Sequence, residues 1–577
     1  MKKVLLCLFL IVAAFSCTSL DDVEKRLDNL ESAVKELQLA HDRGKLVNRI
    51  NQLENNSGWE IVFSDNSSIK VGASMISTIE KDADYVTFVM QDGSSLKFAL
   101  FNLKLLSFSL MANDNPMQLT RDVKGEIIGD SVVECWVPNI MSDKELIPQV
   151  EFTGESIRFD DVPATIGSSK HDFKKPVKMT LTNGSKSKDF TIYVHSFTGL
   201  PVMWIETEGR QDITSKEEYL KASFKLQENV TTRGAGDVMI DSVNIKGRGN
   251  STWGLPKKPY ALKFNKKVSL INEPKDKSWV LLANYTDKTM LRNALAFYMG
   301  HISNLDYTPR YHFVELILNG RYNGTYQLCE KLKIAKDRVN VGDDGFLMEI
   351  DSRATEEADA VYFKVAHLYQ VINIKDPDVE YNDENYCYAE KYVTNADSVL
   401  FSKNFADPQN GWQKYMDMDS FVDWFIINEI TKNNDARLWS SCYMSLKRGE
   451  KLKMGPIWDF DLALGNVDFN EAHLVNGFWI KDTSWYAQLF KDPAFVAKVK
   501  ERFDYFYSKR DDIMRNINEN AKYLKYAVQE NENKWHTFYT YTWPNYDIWG
   551  SYNNEVQSMK EWLNARFEWL KGEFDKM

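Results

Sequence analysis

The sequence of residues 429–466, EITKNNDARLWSSCYMSLKRGEKLKMGPIWDFDLALGN, decides how the larger part of the chain is interpreted. It follows an apolar run that has helical spacing. It contains two short apolar runs, residues 442–446 and 452–454, which flank a polar loop with Gly449. That pattern is typical of a β-hairpin. Because a hairpin returns the chain to where it began, we expect Asp435 to lie near Asp459 and Asp461.

Three carboxylates gathered on neighbouring loops are typical of a divalent-cation site. Carboxylate oxygens are hard ligands that suit Mg²⁺ or Mn²⁺. The Asp-x-Asp pair of Asp459 and Asp461, which Trp458 and Gly465 flank, is the better candidate for the metal ligands. The alternative is that these aspartates only form turns and helix caps.

A glycine-rich stretch lies between two predicted strands, residues 243–246 and 257–264. We call it the glycine loop; its residues are Gly247, Arg248, Gly249, Asn250, Ser251 and Thr252. Backbone N–H groups of such a loop can bind phosphates, and a lysine on the returning strand can neutralise their charge. Lys263 has that position. The alternative is a hairpin with a structural role alone.

Two further segments leave their function open. A predicted helix over residues 287–299 places Arg292 near its start, where either a phosphate contact or a plain salt bridge would fit. Residues 538–552, FYTYTWPNYDIWGSY, are rich in aromatic side chains. They could line a sugar or peptide site, or form a loop that caps the core.

The composition bounds the class of protein. A chain of 577 residues predicts roughly three or four domains. With 44% hydrophobic and 13% aromatic residues, it has enough apolar side chains for real cores. The formal net charge of −11 argues against a protein that binds nucleic acid by neutralising phosphates.

The N-terminus predicts export. Lys2 and Lys3 precede a short apolar run that ends at Ser16-Cys17, which resembles the signal peptide of a bacterial lipoprotein with lipidation at Cys17. The acidic pair after it resembles signals that send lipoproteins to the outer face of the outer membrane. We therefore expect an extracytoplasmic protein that meets the membrane only through its lipid. The alternative is a plain secretory peptide.

The remaining cysteines are far apart in sequence and form no Cys-x-x-Cys pair, which argues against a zinc site. Buried free thiols are the default expectation, although export leaves a disulfide open. These cysteines are Cys135, Cys329, Cys387 and Cys442.

Residues 17–56 carry apolar side chains at alternating spacings of three and four, which predicts a coiled-coil stalk and hence a homo-oligomer. The seam breaks near His41 and Gly44, and we expect it to resume in part at Leu46, Ile50 and Leu53. A single packed helix is the alternative.

Two β modules are expected after the stalk. Residues 57–102 contain a repeat, in which residues 60–71 match residues 87–98, and each copy predicts a β-hairpin about Asp-Asn or Asp-Gly. Residues 103–198 contain short alternating runs separated by turn residues, which predicts a β-sandwich that resembles immunoglobulin-like modules.

Several segments together resemble the CotH kinase family. They are IKGRGNSTWGLPKKPYALKF, MLRNALAFYMG, FVELILNGRYNGTYQLCEKL, GFLMEID and NNDAR…GPIWDFDLALGN, in that order over residues 200–510. The resemblance implies an α+β, atypical protein-kinase-like domain over residues 199–577, with a helical C-terminal part. It also implies a protein that uses ATP and a divalent metal to phosphorylate other proteins.

The resemblance assigns roles to the candidate residues. The glycine loop would cover the phosphates and Lys263 would bind them, with Glu330 as a candidate ion-pair partner for that lysine. Asp435 would be the catalytic aspartate. Asp459, with Asp461, would bind the metal.

The sequence also departs from the family's pattern. No His-Arg-Asp precedes Asp435, and Ser440 or Ser441 follows it where the pattern has an asparagine. A hydroxyl is a poorer metal ligand than an amide oxygen. The alternative function is therefore a catalytically inactive surface module that binds a glycan, a nucleotide or a partner protein.

Overall fold

The structure is a computed structural model that describes residues 20–82, 85–101, 103–119, 122–137, 144–183, 186–196, 198–228 and 238–577. The expected signal peptide, residues 1–16, and Cys17 lie outside these residues. The chain divides into two compact units, one up to Val194 and one from His195 to Met577. No helix within the described ranges is long and apolar enough to cross a membrane.

The first unit begins with helix α1 (Leu20–Asp42) and two three-stranded sheets. The strands are β1 (Val47–Gln52), β2 (Gly58–Phe63), β3 (Ser68–Gly72), β4 (Ile76–Lys81), β5 (Tyr85–Met90) and β6 (Ser95–Ala99). Both predicted hairpins are confirmed, with β2 paired to β3 and β5 paired to β6. Phe63, Phe88 and Leu37 of α1 share one core, so the two copies stack on each other.

The expectation that the helical seam resumes at Leu46, Ile50 and Leu53 was wrong, because this segment forms strand β1. The apolar residues Val47, Ile50 and Leu53 recur every three positions, which fits a helix, but antiparallel pairing with β2 makes the segment a strand. The last turns of α1 bury Leu37 and Ala40 against the sheets. Assembly through a coiled coil stays a prediction.

The rest of the first unit is antiparallel β structure around a second core. A six-stranded sheet has the order β14-β13-β16-β17-β10-β9, and smaller sheets have the orders β12-β7-β8 and β11-β15. The strands are β7 (Leu105–Leu110), β8 (Val123–Lys124), β9 (Glu126–Ile128), β10 (Val132–Val137), β11 (Glu145–Leu146), β12 (Pro148–Phe152), β13 (Ser156–Phe159), β14 (Val162–Pro163), β15 (His171–Asp172), β16 (Val177–Asn183) and β17 (Lys186–Ser196). The runs predicted as strands form strands, and the immunoglobulin-like assignment stays a prediction.

The second unit opens with a closed β-barrel in the order β18-β19-β20-β21-β22-β24-β23. Its strands are β18 (Val202–Thr207), β19 (Leu220–Gln227), β20 (Val238–Gly247), β21 (Tyr260–Val268), β22 (Asp276–Leu282), β23 (Tyr311–Leu318) and β24 (Arg321–Glu330). Alternation sorts the side chains: Leu262 and Phe264 of β21 fill the barrel, whereas Lys263 between them is exposed. A parallel pairing of β18 with β23 closes the barrel.

A five-stranded sheet and a set of helices complete the unit. The sheet has the order β26-β27-β25-β28-β29. Its strands are β25 (Phe346–Asp351), β26 (Tyr362–Phe363), β27 (Val371–Asp376), β28 (Cys442–Leu446) and β29 (Lys453–Met454). The helices are α2 (Arg292–His301), α3 (Glu384–Leu400), α4 (Met418–Thr431), α5 (Ser484–Leu489), α6 (Pro493–Ser508), α7 (Arg510–Tyr523), α8 (Lys525–Trp535) and α9 (Tyr552–Asp575). The predicted hairpin is confirmed, since Met444 pairs with Met454.

The four cysteines within the described residues are free thiols. Cys135, Cys329 and Cys442 are buried, as expected. Cys387 is exposed, which differs from the default expectation of a buried thiol.

A buried ion pair joins the last helix to the helix that leads into the Asp435 loop. Arg566 of α9 donates to Glu429 of α4 at 2.7 Å, and both side chains are almost fully buried. Glu429 also accepts from the backbone of Trp479 and Ile480, while Arg566 donates to the carbonyls of Val475 and Gly477. The end of α4 is therefore fixed by charge-assisted hydrogen bonds.

We expect Arg566→Ala to lower the free energy of unfolding by about 3–5 kcal/mol, because it leaves the Glu429 carboxylate buried without its partner. Denaturant unfolding of the full chain measures the change. The matched control is Arg515→Ala, since Arg515 pairs with Asp512 on an exposed surface. The free energy of unfolding of that variant should fall by less than about 1 kcal/mol. Equal decreases in the two variants would contradict the structural role of the buried pair.

Candidate functional site

The Asp435 loop begins where α4 ends. Lys432 terminates the helix in the left-handed conformation, and its Nζ donates to the carbonyls of Glu471, Leu474 and Asn476 at 2.9 Å each. Asp435 lies in the short turn Asn434–Ala436 that follows. Three hydrogen bonds from one ammonium group hold the entry to this turn in place.

The loop that carries Asp459 and Asp461 is held in place by hydrogen bonds with α2 and with the segment before α2. Phe460 N donates to Asn293 Oδ1 at 2.8 Å. Thr286 Oγ1 donates to Asp461 Oδ2 at 3.0 Å, and Asn466 Nδ2 donates to the Asp461 carbonyl at 2.7 Å. These bonds fix both the backbone between the two aspartates and one carboxylate oxygen.

Asp435, Asp459 and Asp461 come together, and we call them the carboxylate cluster. Burial, and then the charge of Asp459, raises the pKa of Asp435 to about 6. The same two causes raise the pKa of Asp461 well above its ordinary value, and the charge of Asp435 adds to them. The hairpin brings the Asp435 loop against Asp459, since Ser441 of that loop donates to Asp459, and the charge of Asp459 acts on both of the other carboxylates.

Backbone strain accompanies the cluster. Leu438, Ser441 and Asp459 have φ angles of 59°, 55° and 67°, in the left-handed region that non-glycine residues seldom adopt. Ser441 Oγ donates to Asp459 Oδ2 at 3.4 Å. Each such residue costs of order 1–3 kcal/mol, and such strain is concentrated at functional sites.

The glycine loop approaches the cluster through Arg248. The Arg248 guanidinium lies 5.7 Å from the centroid of the Trp458 ring, and Trp458 precedes Asp459. Gly249 has a φ of 83°, and a Cβ on it would lie 2.2 Å from Thr252 Oγ1. Gly249 therefore gives the loop a turn that other residues could not form without strain. Asn250 and Ser251 are exposed at its tip.

Lys263 lies in a cluster of lysines on the outside of the barrel. Lys246 and Lys263 have their Nζ atoms 5.0 and 6.0 Å from the centroid of the Tyr219 ring. Burial, and then the charges of Lys333 and Lys246, lower the pKa of Lys331, and Lys263 adds to this effect. These four lysines, Lys246, Lys263, Lys331 and Lys333, form a concentrated positive charge that favours an anionic ligand.

Glu330 does not pair with Lys263, and that expectation is corrected. Its carboxylate accepts two hydrogen bonds from the Arg310 guanidinium, at 2.7 and 3.0 Å, one from Arg310 N at 3.0 Å and one from Tyr307 Oη at 3.0 Å. Glu330 ends strand β24 and is buried there, whereas Lys263 points away from the barrel. A lysine–glutamate pair of the kind expected for a kinase is therefore not formed by these two residues.

Arg292 makes a salt bridge, which answers the question that the sequence left open. Its Nη1 donates to Asp287 Oδ1 at 2.6 Å, and its Nε donates to the Ala463 carbonyl at 3.0 Å. Both Arg292 and Asp287 are buried. The pair anchors the start of α2 to the loop after Asp461.

The donor set of the carboxylate cluster fits Mg²⁺ or Mn²⁺ in part. Among the described residues, no three His, Cys, Asp or Glu side chains are already arranged so that they could hold a metal ion. However, Mg²⁺ is commonly held by one or two carboxylates together with substrate phosphates and water. Asp459 and Asp461 offer those carboxylates, and a cation bound there would offset the negative charge that helps to raise the pKa values of Asp435 and Asp461.

Several residues that shape the site receive no role from the sequence alone. Glu349, whose Oε1 accepts from Ser441 N at 3.2 Å, stands with Asp351 in the otherwise apolar strand β25. The pair of carboxylates in such a strand was a usable signal. Thr286, Asn293 and Lys331 gave none, because their contacts join segments that are distant in sequence.

Comparisons with known proteins point to one family. A family model described as CotH kinase protein matches residues 245–570, which is more than half of the 577 residues. A search of curated proteins found no match. A solved structure of a protein provisionally assigned as a glycoside hydrolase, from Bacteroides thetaiotaomicron, matches with 13% identity and a TM-score of 0.14. The match covers 50% of this chain and 87% of that one, and so low a score carries no argument.

The electrostatics of Glu349 give a testable pH dependence. Burial, and then the charge of Asp351, raises the pKa of Glu349 from 4.5 to about 7. Between these values the folded chain binds the proton more tightly than the unfolded chain, so this residue's contribution to stability falls as the pH rises from about 4.5 through 7. We expect Glu349→Gln to be more stable than wild type at pH 8, by up to about 3 kcal/mol, and to match it near pH 4.

Denaturant unfolding at a series of pH values measures this difference. The matched control is Glu519→Gln, since Glu519 is exposed on α7. The control should follow the wild-type profile at every pH. A Glu349→Gln profile that runs parallel to wild type would contradict the burial argument.

Proposed function

The chain belongs to the CotH kinase protein family, and on that premise we propose that it is a metal-dependent atypical kinase. In this proposal it transfers the γ-phosphoryl group of ATP to a Ser or Thr hydroxyl of a protein. The observation that carries the proposal is the convergence of Asp435, Asp459 and Asp461 beside Trp458, which Arg248 of the glycine loop contacts. Phosphoryl transfer needs this combination of negative metal ligands and positive phosphate ligands.

The barrel would hold the phosphates of the nucleotide. The backbone of the glycine loop and the Arg248 guanidinium offer N–H donors, and guanidinium groups bind phosphate in a bidentate manner. Lys263 and the lysines around it add positive charge. Because the lysines lie close together, each disfavours the charged form of the others when no ligand is present. A bound anion offsets this repulsion.

Asp459 and Asp461 would hold Mg²⁺ or Mn²⁺. The bound ion supplies charge neutralisation at the β- and γ-phosphate oxygens. The hydrogen bonds from Thr286 and Asn466 keep the Asp461 side chain and backbone in place. Preorganised groups of this kind need no rearrangement when negative charge develops.

Asp435 would orient the acceptor hydroxyl and take its proton. In the transfer, the hydroxyl oxygen forms a bond to the γ-phosphorus, the bond from that phosphorus to the β–γ bridging oxygen breaks, and ADP leaves. The proton of the hydroxyl passes to an Asp435 oxygen. Burial and the charge of Asp459 make Asp435 a better proton acceptor than an ordinary aspartate, because they raise its pKa to about 6.

The location of the protein is part of the proposal. Lipidation of Cys17 would place the kinase domain outside the cytoplasm, at the outer membrane and on the cell surface. Helix α1 and the two hairpin sheets would then separate it from the membrane, with self-association through α1. The acceptor would be a protein that is exposed in the same compartment.

We expect Mg²⁺ or Mn²⁺ with ATP to raise the thermal unfolding midpoint of the full chain more than either ligand alone, because both bind only the folded state. ATP at 100 times its Kd corresponds to about 2.7 kcal/mol of stabilisation. Asp459→Asn should abolish the metal-dependent part, and Lys263→Ala should reduce the ATP-dependent part. Asp482→Asn, an exposed aspartate, is the matched control.

Asp435→Asn separates binding from chemistry. It should retain the shift with metal and ATP but lose at least about a hundredfold in phosphoryl transfer, because it removes the proton acceptor. No shift at millimolar ATP would contradict the nucleotide site. Transfer that survives Asp435→Asn would contradict the role of this residue.

A further inference from the structure

The segment between α8 and α9 exposes aromatic rings that phosphoryl transfer does not use. Five of its aromatic side chains are between 43% and 79% exposed, and we call them the aromatic surface: Tyr539, Tyr541, Trp543, Tyr546 and Trp549. A loop that only capped the core would bury its largest side chains. Exposed apolar groups that are concentrated in one place are typical of a binding site.

Three rings of the aromatic surface are held in fixed orientations by residues that precede α5 in the chain. The Trp543 ring stacks on Phe469, with the planes 19° apart, and the Tyr546 ring stacks on His473, with the planes 7° apart. Tyr541 Oη donates to Asp468 Oδ2 at 2.9 Å. Rings fixed in this way lose little conformational entropy when a ligand binds to their exposed faces.

A small polar cavity opens among these rings. Its volume is about 100 Å³, and its lining includes His473, Tyr546, Asp547, Trp549 and Glu555. Nδ1 of His473 is buried and has no hydrogen-bond partner among the described residues. A liquid water molecule occupies about 30 Å³, so the cavity has room for a hydroxyl or hydroxymethyl group but not for a whole ring.

The charges around the cavity select against anions. Asp547 and Glu555 line it, and Asp468 lies beside it under Tyr541. Arg292 also lines the cavity, but its guanidinium is paired with Asp287, and Lys288 donates to the Thr540 carbonyl. Each carboxylate already accepts one hydrogen bond, from Ile548 N, Trp549 N or Tyr541 Oη. Because a carboxylate has about four acceptor sites, each can still accept from a hydroxyl group of a neutral ligand.

We propose that the aromatic surface and its cavity form a binding site for a neutral saccharide. The C–H-rich face of a sugar ring packs on aromatic faces, and its hydroxyl groups donate to carboxylates at the rim of the rings. One hydroxyl or hydroxymethyl group enters the cavity beside His473, and the ring lies over Trp543 or Tyr546. The site adjoins the carboxylate cluster, because Asn545 of this segment donates to Asn466 and to the Thr286 carbonyl.

The experiment titrates the full chain with neutral oligosaccharides of glucose, mannose, galactose, xylose and N-acetylglucosamine. Uronic acid and sulfated oligosaccharides of equal length form the matched anionic set. Calorimetry or tryptophan fluorescence measures binding, with no nucleotide or metal present. We expect at least one neutral saccharide to bind, and we expect its anionic counterpart to bind at least about tenfold more weakly.

Variants locate the binding to the aromatic surface. Trp543→Ala and Tyr546→Ala should each weaken it at least about tenfold, whereas Trp543→Phe should retain most of it. Tyr523→Ala, which removes an exposed tyrosine from α7, is the matched control and should bind as wild type does. Equal thermal unfolding midpoints establish that the variants are folded.

Several outcomes would overturn the proposal. They are no neutral saccharide bound at millimolar concentration, equal binding of the anionic set, unchanged binding by both alanine variants, or binding of a proline-rich peptide in place of any saccharide. Because nucleotide and metal are absent from this titration, its failure would leave the proposed phosphoryl transfer untouched.

Discussion

The repulsion among Asp435, Asp459 and Asp461 is the constraint on which the rest of the second unit depends. Burial and the charge of Asp459 raise the pKa values of Asp435 and Asp461, so these carboxylates stay together only where the surrounding structure holds them. The β28–β29 hairpin supplies the proximity, and the bond from Phe460 N to Asn293 fixes the loop between two of them. Such a site lowers the free energy of unfolding of the chain without a ligand, and it favours the binding of a cation.

The barrel and the helical part carry candidate site residues of opposite charge. The barrel carries the glycine loop and the lysines around Lys263, whereas the helical part carries the carboxylates. Arg248 connects the two, since its guanidinium lies against Trp458 next to Asp459. The basic residues and the carboxylates lie on different elements, and each set is supported by a separate hydrophobic core. A ligand that binds both sets would then bridge the two parts. The buried Glu429–Arg566 pair bears on the site because Glu429 lies near the end of α4, directly before the turn that carries Asp435.

The sequence predicted what depends on local patterns. The hairpins follow from alternation and turn residues, and the helix before Asp435 follows from helical spacing. Proximity of the carboxylates followed from the hairpin. Closure of the barrel was not predicted, because the β18–β23 pairing joins Val202 to Glu315 across more than a hundred residues. The partner of Glu330 was missed since Arg310 carries no local signal. Residues 46–53 were misassigned because their apolar spacing fits a helix, whereas pairing with β2 makes most of them a strand.

The most direct test of the carboxylate cluster as a metal site is a crystal structure of the chain with Mn²⁺ and a non-hydrolysable ATP analogue. Anomalous scattering locates the metal without assumptions about the ligand. The account predicts an anomalous peak about 2.1 Å from oxygens of Asp459 and Asp461, with the phosphates between that peak and Arg248. A nucleotide bound elsewhere, or a metal peak that contacts neither aspartate, would contradict it.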